Sequence, residues 1–148
     1  MKTSARPEES IVKRAEPTSR EKTLLLARLA LDKKARQILL LNVGPLTTIA
    51  EYFIICSGVS VRHTRSIAQH VQTEAKGSGL LPLGVEGEEE GGWILLDYDD
   101  VVIHVFHEPT RELYSLEQLW SDAPHLIDPE IEKERASVEA DEEVSWEP

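Results

Sequence analysis

Three carboxylates and an imidazole crowd one short stretch of this chain, WILLDYDDVVIHVF (93–106): Asp97, Asp99, Asp100 and His104. Carboxylates at the ends of adjacent strands hold magnesium in enzymes that transfer phosphoryl or nucleotidyl groups. Asp97 and Asp99 have the i, i+2 spacing that puts both side chains on one face of a strand. Such a site also needs a cradle for phosphate, usually a glycine-rich loop opening into a helix. The nearest approach to one is CSGVSVRHTR (56–65), where Ser57, Gly58 and Ser60 precede a helix with Arg62 and Arg65 in its first turns. Glycine and serine before a helix are common, so this signal is weak. The competing reading of DYDD is a tight turn between antiparallel strands, because aspartate favours turns and tolerates positive φ. The turn is the commoner chemistry. A magnesium-dependent, nucleotidyltransferase-like enzyme using Asp97, Asp99 and Asp100 remains the alternative.

Other reactive residues point to packing. His63 and His70 lie seven apart on one expected helix, and His104 and His107 fall on opposite faces of a strand. No His-x3-His or Cys-x2-Cys spacing is present, so no zinc site is expected. His104 shares a face with Val102 and Phe106 and reads as a partly buried, hydrogen-bonded residue. Cys56 ends the apolar run FIIC and reads as a small core residue, since a catalytic thiol needs a base and an electropositive setting. The aromatic set Trp93, Tyr98, Tyr114 and Trp120 is denser. Alternation puts Trp93, Leu95 and Asp97 on one face of a strand, and Ile94, Leu96 and Tyr98 on the other. One face must pack on helices; the other is solvated or meets a partner. Aromatics beside Arg111 have the composition of interface anchors, whereas Trp120 reads as core.

The elements that must hold these residues follow from pattern. Leu24, Ala27, Leu31 and Ala35 recur near helical spacing, with Thr18 and Glu21 placed as a capping box. QILLLNV and EYFIICSG are strands. Ser60 caps a helix over 61–76 whose apolar face is Thr64, Ile67, Ala68, Val71 and Ala75. LLPLGVEG is a strand that Pro82 confines to an edge. EGEEEGG is a hairpin loop. WILLDY and VVIHVFHE are strands, and one or two short helices follow Pro109. The order α-β-β-α-β-β-β-α predicts an α+β fold, a mixed sheet of about five strands flanked by helices.

Length and charge set the bounds. The chain has 148 residues, which suits one domain, and its single cysteine excludes an internal disulfide. No apolar run nears the ~20 residues of a membrane span, and the N-terminus lacks a secretory pattern, so a cytoplasmic protein is expected. The formal charge of −11 divides into +2 for residues 1–20, −6 for 21–126 and −7 for 127–148. Residues 1–20 read as a disordered tail, 21–126 as the folded domain, and 127–148 as an acidic tail with at most a transient helix. Trp146 reads as an accident of that tail. An acidic body does not grip nucleic acid through its general field. Work near RNA would need a protein partner or a local basic patch.

Four blocks carry a more specific signal: LALDKKARQILLLNV (29–43), EYFIICSGVSVRHTRSIAQHV (51–71), GGWILLDYDDVVIHVF (91–106) and RELYSLEQLW (111–120). Their order and spacing resemble the ribosomal silencing factor family, RsfS or Iojap, from about Leu24 to Ala123. The resemblance implies a sheet-and-helix fold similar to nucleotidyltransferase domains but without their activity, and no cofactor. It implies binding to the large ribosomal subunit through the ribosomal protein numbered fourteen, where bulk blocks subunit joining and lowers translation when nutrients are short. Organelle relatives assist large-subunit assembly, and dimers occur in the family. Carried over by position, the binding surface is Trp93, Leu96, Asp97, Tyr98 and Asp100, with His104, Arg111 and Tyr114 beside them. Direct contact with ribosomal RNA is expected to be slight. This chain has Asp99 where the family usually has glycine, and Asn42 where it often has aspartate.

Overall fold

The computed structural model describes residues 16–146, and side chains up to residue 141. The elements are α1 (Ser19–Asp32), β1 (Arg36–Asn42), β2 (Tyr52–Gly58), α2 (Val61–Gly77), β3 (Gly84–Glu86), β4 (Trp93–Asp97), β5 (Val101–His107), α3 (Glu108–Tyr114), α4 (Leu116–Leu119) and α5 (Pro129–Trp146). The strands form one sheet in the order β1-β2-β5-β4-β3. β2 and β5 run parallel at its centre, and the other neighbours are antiparallel. The fold is thus α+β with a mixed five-stranded sheet, as expected.

The two central strands are mostly apolar because both of their faces are covered. On one face α1 and α2 pack over Ile54, Cys56, Ile94, Leu96, Tyr98, Ile103 and Val105. On the other, the loop after β1 and the segment after α3 cover Phe53, Ile55 and Phe106 with Val43, Ala50 and Ala123. That second cover is incomplete towards the β4 edge.

Local chemistry starts and stops the elements where the pattern expects. The Thr18 hydroxyl accepts from the Glu21 amide and the Glu21 carboxylate from the Thr18 amide, which completes the capping box on α1. Ser60 accepts from the amide of His63 at the start of α2, and all five expected core positions of α2 are buried. β3 is three residues long and lies at the sheet edge, the position Pro82 imposes. Gly87 turns the β3–β4 loop at φ 81, and a Cβ there would come within 2.0 Å of the Trp93 carbonyl oxygen. The loop is pinned to α2 where Thr64 Oγ1 donates to the Gly91 carbonyl at 2.7 Å. These contacts fix the point where Trp93 enters the sheet.

The two tail readings fare differently. Residues 1–15 lie outside the described residues, but Ser19 already belongs to α1. Most of the segment read as an acidic tail is helical: α5 (Pro129–Trp146) docks on α1 and β1, burying Ile131 and Val138. Ion pairs reinforce it, with Glu139 beside Arg36 and Asp141 beside Lys34. Arg135 Nε donates to the Ile38 carbonyl and the Gln37 amide donates to Glu139, so α5 also occupies polar groups of the outer edge of β1. Acidic composition suggested solvation, yet two apolar positions seven residues apart and a cationic strand edge suffice to dock the helix. The side chain of Trp146 lies outside the described residues.

Candidate functional site

The hairpin that opened the sequence reading is a hairpin with a two-residue turn. The Tyr98 amide donates to the Val101 carbonyl at 2.8 Å, and Asp99 sits at φ 76 between them. A turn with positive φ at its first central residue is one that glycine normally supplies. Asp97 supports the strained residue, its Oδ1 accepting from the Asp99 amide at 2.8 Å. The three carboxylates then diverge. Asp97 lies on the face away from α1, Asp99 is exposed at the tip, and Asp100 turns to α1, where Ser19 Oγ and Lys22 Nζ both donate to it. Lys22 also donates to the Tyr98 carbonyl at 3.2 Å. Among the described residues no three His, Cys, Asp or Glu side chains converge as metal ligands.

Asp100 therefore clamps α1 to the hairpin and offers no free docking charge. Burial would raise its carboxyl, but the Lys22 and Ser19 hydrogen bonds and the Lys22 charge carry it below its ordinary 3.8. The folded chain binds that proton less tightly than the unfolded one, so the stabilisation is complete above 3.8 and is lost as pH falls below it. Replacing Asp100 with Asn is expected to cost about 1 kcal/mol at neutral pH and to flatten the acid limb of stability, measured by urea unfolding.

Of the residues assigned to the binding surface, three come together on the incompletely covered face: Trp93, His104 and Tyr114. The Trp93 ring lies 4.8 Å from Phe106 and 4.9 Å from Tyr114. Its indole Nε1 donates to His104 Nδ1 at 3.1 Å. Indole nitrogen only donates, so His104 carries its proton on Nε2. His104 is packed edge-on against Phe53, and behind that ring Trp120 packs against Phe53 at 5.2 Å. Trp120 thus joins the second core cluster. A cleft of about 520 Å³ opens beside Trp93, between Leu95, Tyr114, Glu86 at the end of β3 and the loop residue Glu90.

Burial lowers the His104 pKa from 6.5 to about 4. The unfolded chain takes up the proton first, so stability is complete above 6.5 and is lost as pH falls from there towards 4. Protonation would also remove the acceptor that Trp93 uses. Urea midpoints taken across that interval are expected to fall steadily in the native protein and less steeply in His104→Asn.

Four assignments are corrected. Leu96 is fully buried and Tyr98 is 3% exposed, both under α1 and α2 on the opposite face. The Tyr98 hydroxyl is buried without a hydrogen-bond partner among the described residues, and burial pushes its pKa up to about 12. Arg111 is 5% exposed. Its Nη1 donates to Ser57 Oγ at 2.8 Å and its Nε to Glu117 at 3.1 Å, so it braces α3 and α4 against the end of β2. Asp100 is the clamp described above. His104 supports the face from behind, being 5% exposed. Cys56 is buried, and burial pushes its thiol up to about 12 despite the nearby Arg111, so it is a core residue as read. Leu95, which alternation pairs with Trp93, is the leucine that lines the cleft, not Leu96. Glu86, read as the end of a strand, and Glu90, read as a loop residue, were passed over; the return of that loop beside β4 was the missing signal.

With this geometry in view, the comparison with known proteins is decisive. The family described as RsfS, ribosomal silencing factor during starvation, matches residues 16–147. The chain belongs to the RsfS family. A relative called ribosomal silencing factor RsfS, from Halalkalibacterium halodurans, is 43% identical over 93 residues, 63% of this chain and 80% of the relative. A crystal structure of a Chromobacterium violaceum protein superposes with a TM-score of 0.64 at 37% identity, covering 68% of this chain and 84% of that one. A mouse protein named mitochondrial assembly of ribosomal large subunit protein 1 is 31% identical over 100 residues, 66% of this chain and 44% of its own length. Asp99 is the one central residue of the hairpin turn with positive φ. Asn42 steadies the turn after β1, its Oδ1 accepting from the Gly44 amide at 3.3 Å.

Proposed function

We propose that this RsfS-family protein acts in the cytoplasm as a non-catalytic silencer of translation. It docks its Trp93 face on a protein of the large ribosomal subunit and keeps the small subunit away by bulk. The ribosomal protein numbered fourteen is the partner that the family resemblance implies. The family match over residues 16–147 carries the reading, and the mouse relative's name ties one member to the large subunit. The face supplies a physical means. Half-buried Trp93 and the 56% exposed Tyr114 offer rigid aromatic area at little entropic cost. Glu86 and Glu90 rim it with negative charge, which complements a basic partner and is repelled by surrounding RNA.

Sedimentation of purified subunits tests the proposal. Excess protein is expected to shift whole ribosomes to free subunits. Whole ribosomes that persist at saturating protein would overturn it.

A further inference from the structure

On the side of the sheet away from Trp93, the end of α1 and the solvent face of α2 enclose a groove of about 500 Å³. Three cations line it, Lys33, Arg62 and Arg65, and among the described residues no carboxylate does. That is unusual in a chain of net charge −11. Arg62, Arg65, Ser66, Gln69 and Thr73 form one exposed stripe of α2, opposite its buried stripe. Neither Lys33 nor Arg62 has a carboxylate partner among the described residues. Arg65 is held by backbone: its guanidinium donates to the carbonyls of Glu88, at 3.1 Å, and Glu89. The Glu88 carboxylate is turned instead to Gln72 Nε2 at 3.0 Å. Asp32, at the rim, is taken up by His70 at 3.2 Å. The walls are fixed together, since His63 accepts from the Val59 amide on Nδ1 and so donates from Nε2 to the Lys33 carbonyl at 2.7 Å.

We infer that this groove binds the phosphodiester backbone of RNA. The inference rests on the ribosome-docking reading and adds to it a second contact, on RNA. Two arginines one turn apart on α2, with Lys33 across the groove and hydroxyl and amide groups beside them, suit a polar, repeating polyanion. An acidic peptide would need apolar anchors for its side chains. Against a formal charge of −11 for the chain, this cationic groove is the side suited to face RNA, and it would orient the molecule as it docks.

The test uses the full chain and purified large subunits. The triple change Lys33→Gln, Arg62→Gln and Arg65→Gln is expected to weaken binding and to reduce the slope of log K against log salt by about 2 to 3. An unchanged slope overturns the inference. Ser66→Cys can carry a photocrosslinker selectively, because Cys56 is fully buried. Crosslinks to ribosomal RNA are expected, and crosslinks to protein alone overturn the inference. Trp93→Ala separates the two readings: it should lower affinity and keep the native salt slope. If Trp93→Ala binds as the native chain does, the docking face is wrong while the salt slope and crosslinks still judge the groove.

Discussion

Truncating Trp93 to alanine is expected to weaken binding to the large subunit by about 3 kcal/mol, more than a hundredfold, as a central anchor does. Trp93 stands where the sheet face is open, with Phe106 and His104 behind it and Tyr114 beside it. A rigid indole backed on three sides loses little freedom on binding, which is why such residues dominate interfaces. The comparison that isolates binding is Tyr114→Ala. Tyr114 is more than half exposed, so its loss should reduce affinity with little change in stability. Leu96→Ala should do the reverse, costing about 2–5 kcal/mol of stability as a buried leucine does and leaving the affinity of the folded fraction intact. Equilibrium binding to purified large subunits, beside urea unfolding of each variant, reads both quantities. Native affinity in Trp93→Ala would move the interface elsewhere.

Arg111→Met should destabilise the fold by about 3 kcal/mol without lowering the affinity of the folded protein. The methionine fills the space of the aliphatic stem but leaves Ser57 and Glu117 without their donor. Glu117 Oε1 is already buried without a partner, so the remaining charge would face a poorly solvating pocket. The Glu117 side chain is 35% exposed, and this partial access to water keeps the cost at the low end of what breaking a buried pair brings. Adding Glu117→Gln should recover part of the loss. Urea unfolding measures the stability, and subunit binding by Arg111→Met shows whether the residue braces the fold or touches the partner. Lost affinity in a well-folded variant would return Arg111 to the interface.

Much of this protein was legible as pattern because the deciding physics is local. The capping box at Thr18 and Glu21, the five buried positions of α2 and the edge placement after Pro82 depend on neighbours a few residues away. The same holds for the DYDD turn. A two-residue connection between apolar strands demands positive φ at one centre, and Asp99 with the Asp97 carboxylate behind its amide meets that demand. The α5 helix was missed for the opposite reason. Its docking depends on Arg36, Gln37 and Ile38, about a hundred residues earlier, and its own sequence shows mainly acid.

What the sequence by itself determined is the division of β4 into two faces, Trp93, Leu95 and Asp97 against Ile94, Leu96 and Tyr98, because side chains alternate along any strand. Which face the helices would cover was not in that pattern, since both faces are apolar enough to be buried. The tertiary structure decided it: α1 and α2 close over Leu96 and Tyr98, and the loops opposite stop short of Trp93. It also decided what each charge does, because Asp100 meets Lys22 and Arg111 meets Ser57 only when distant segments come together.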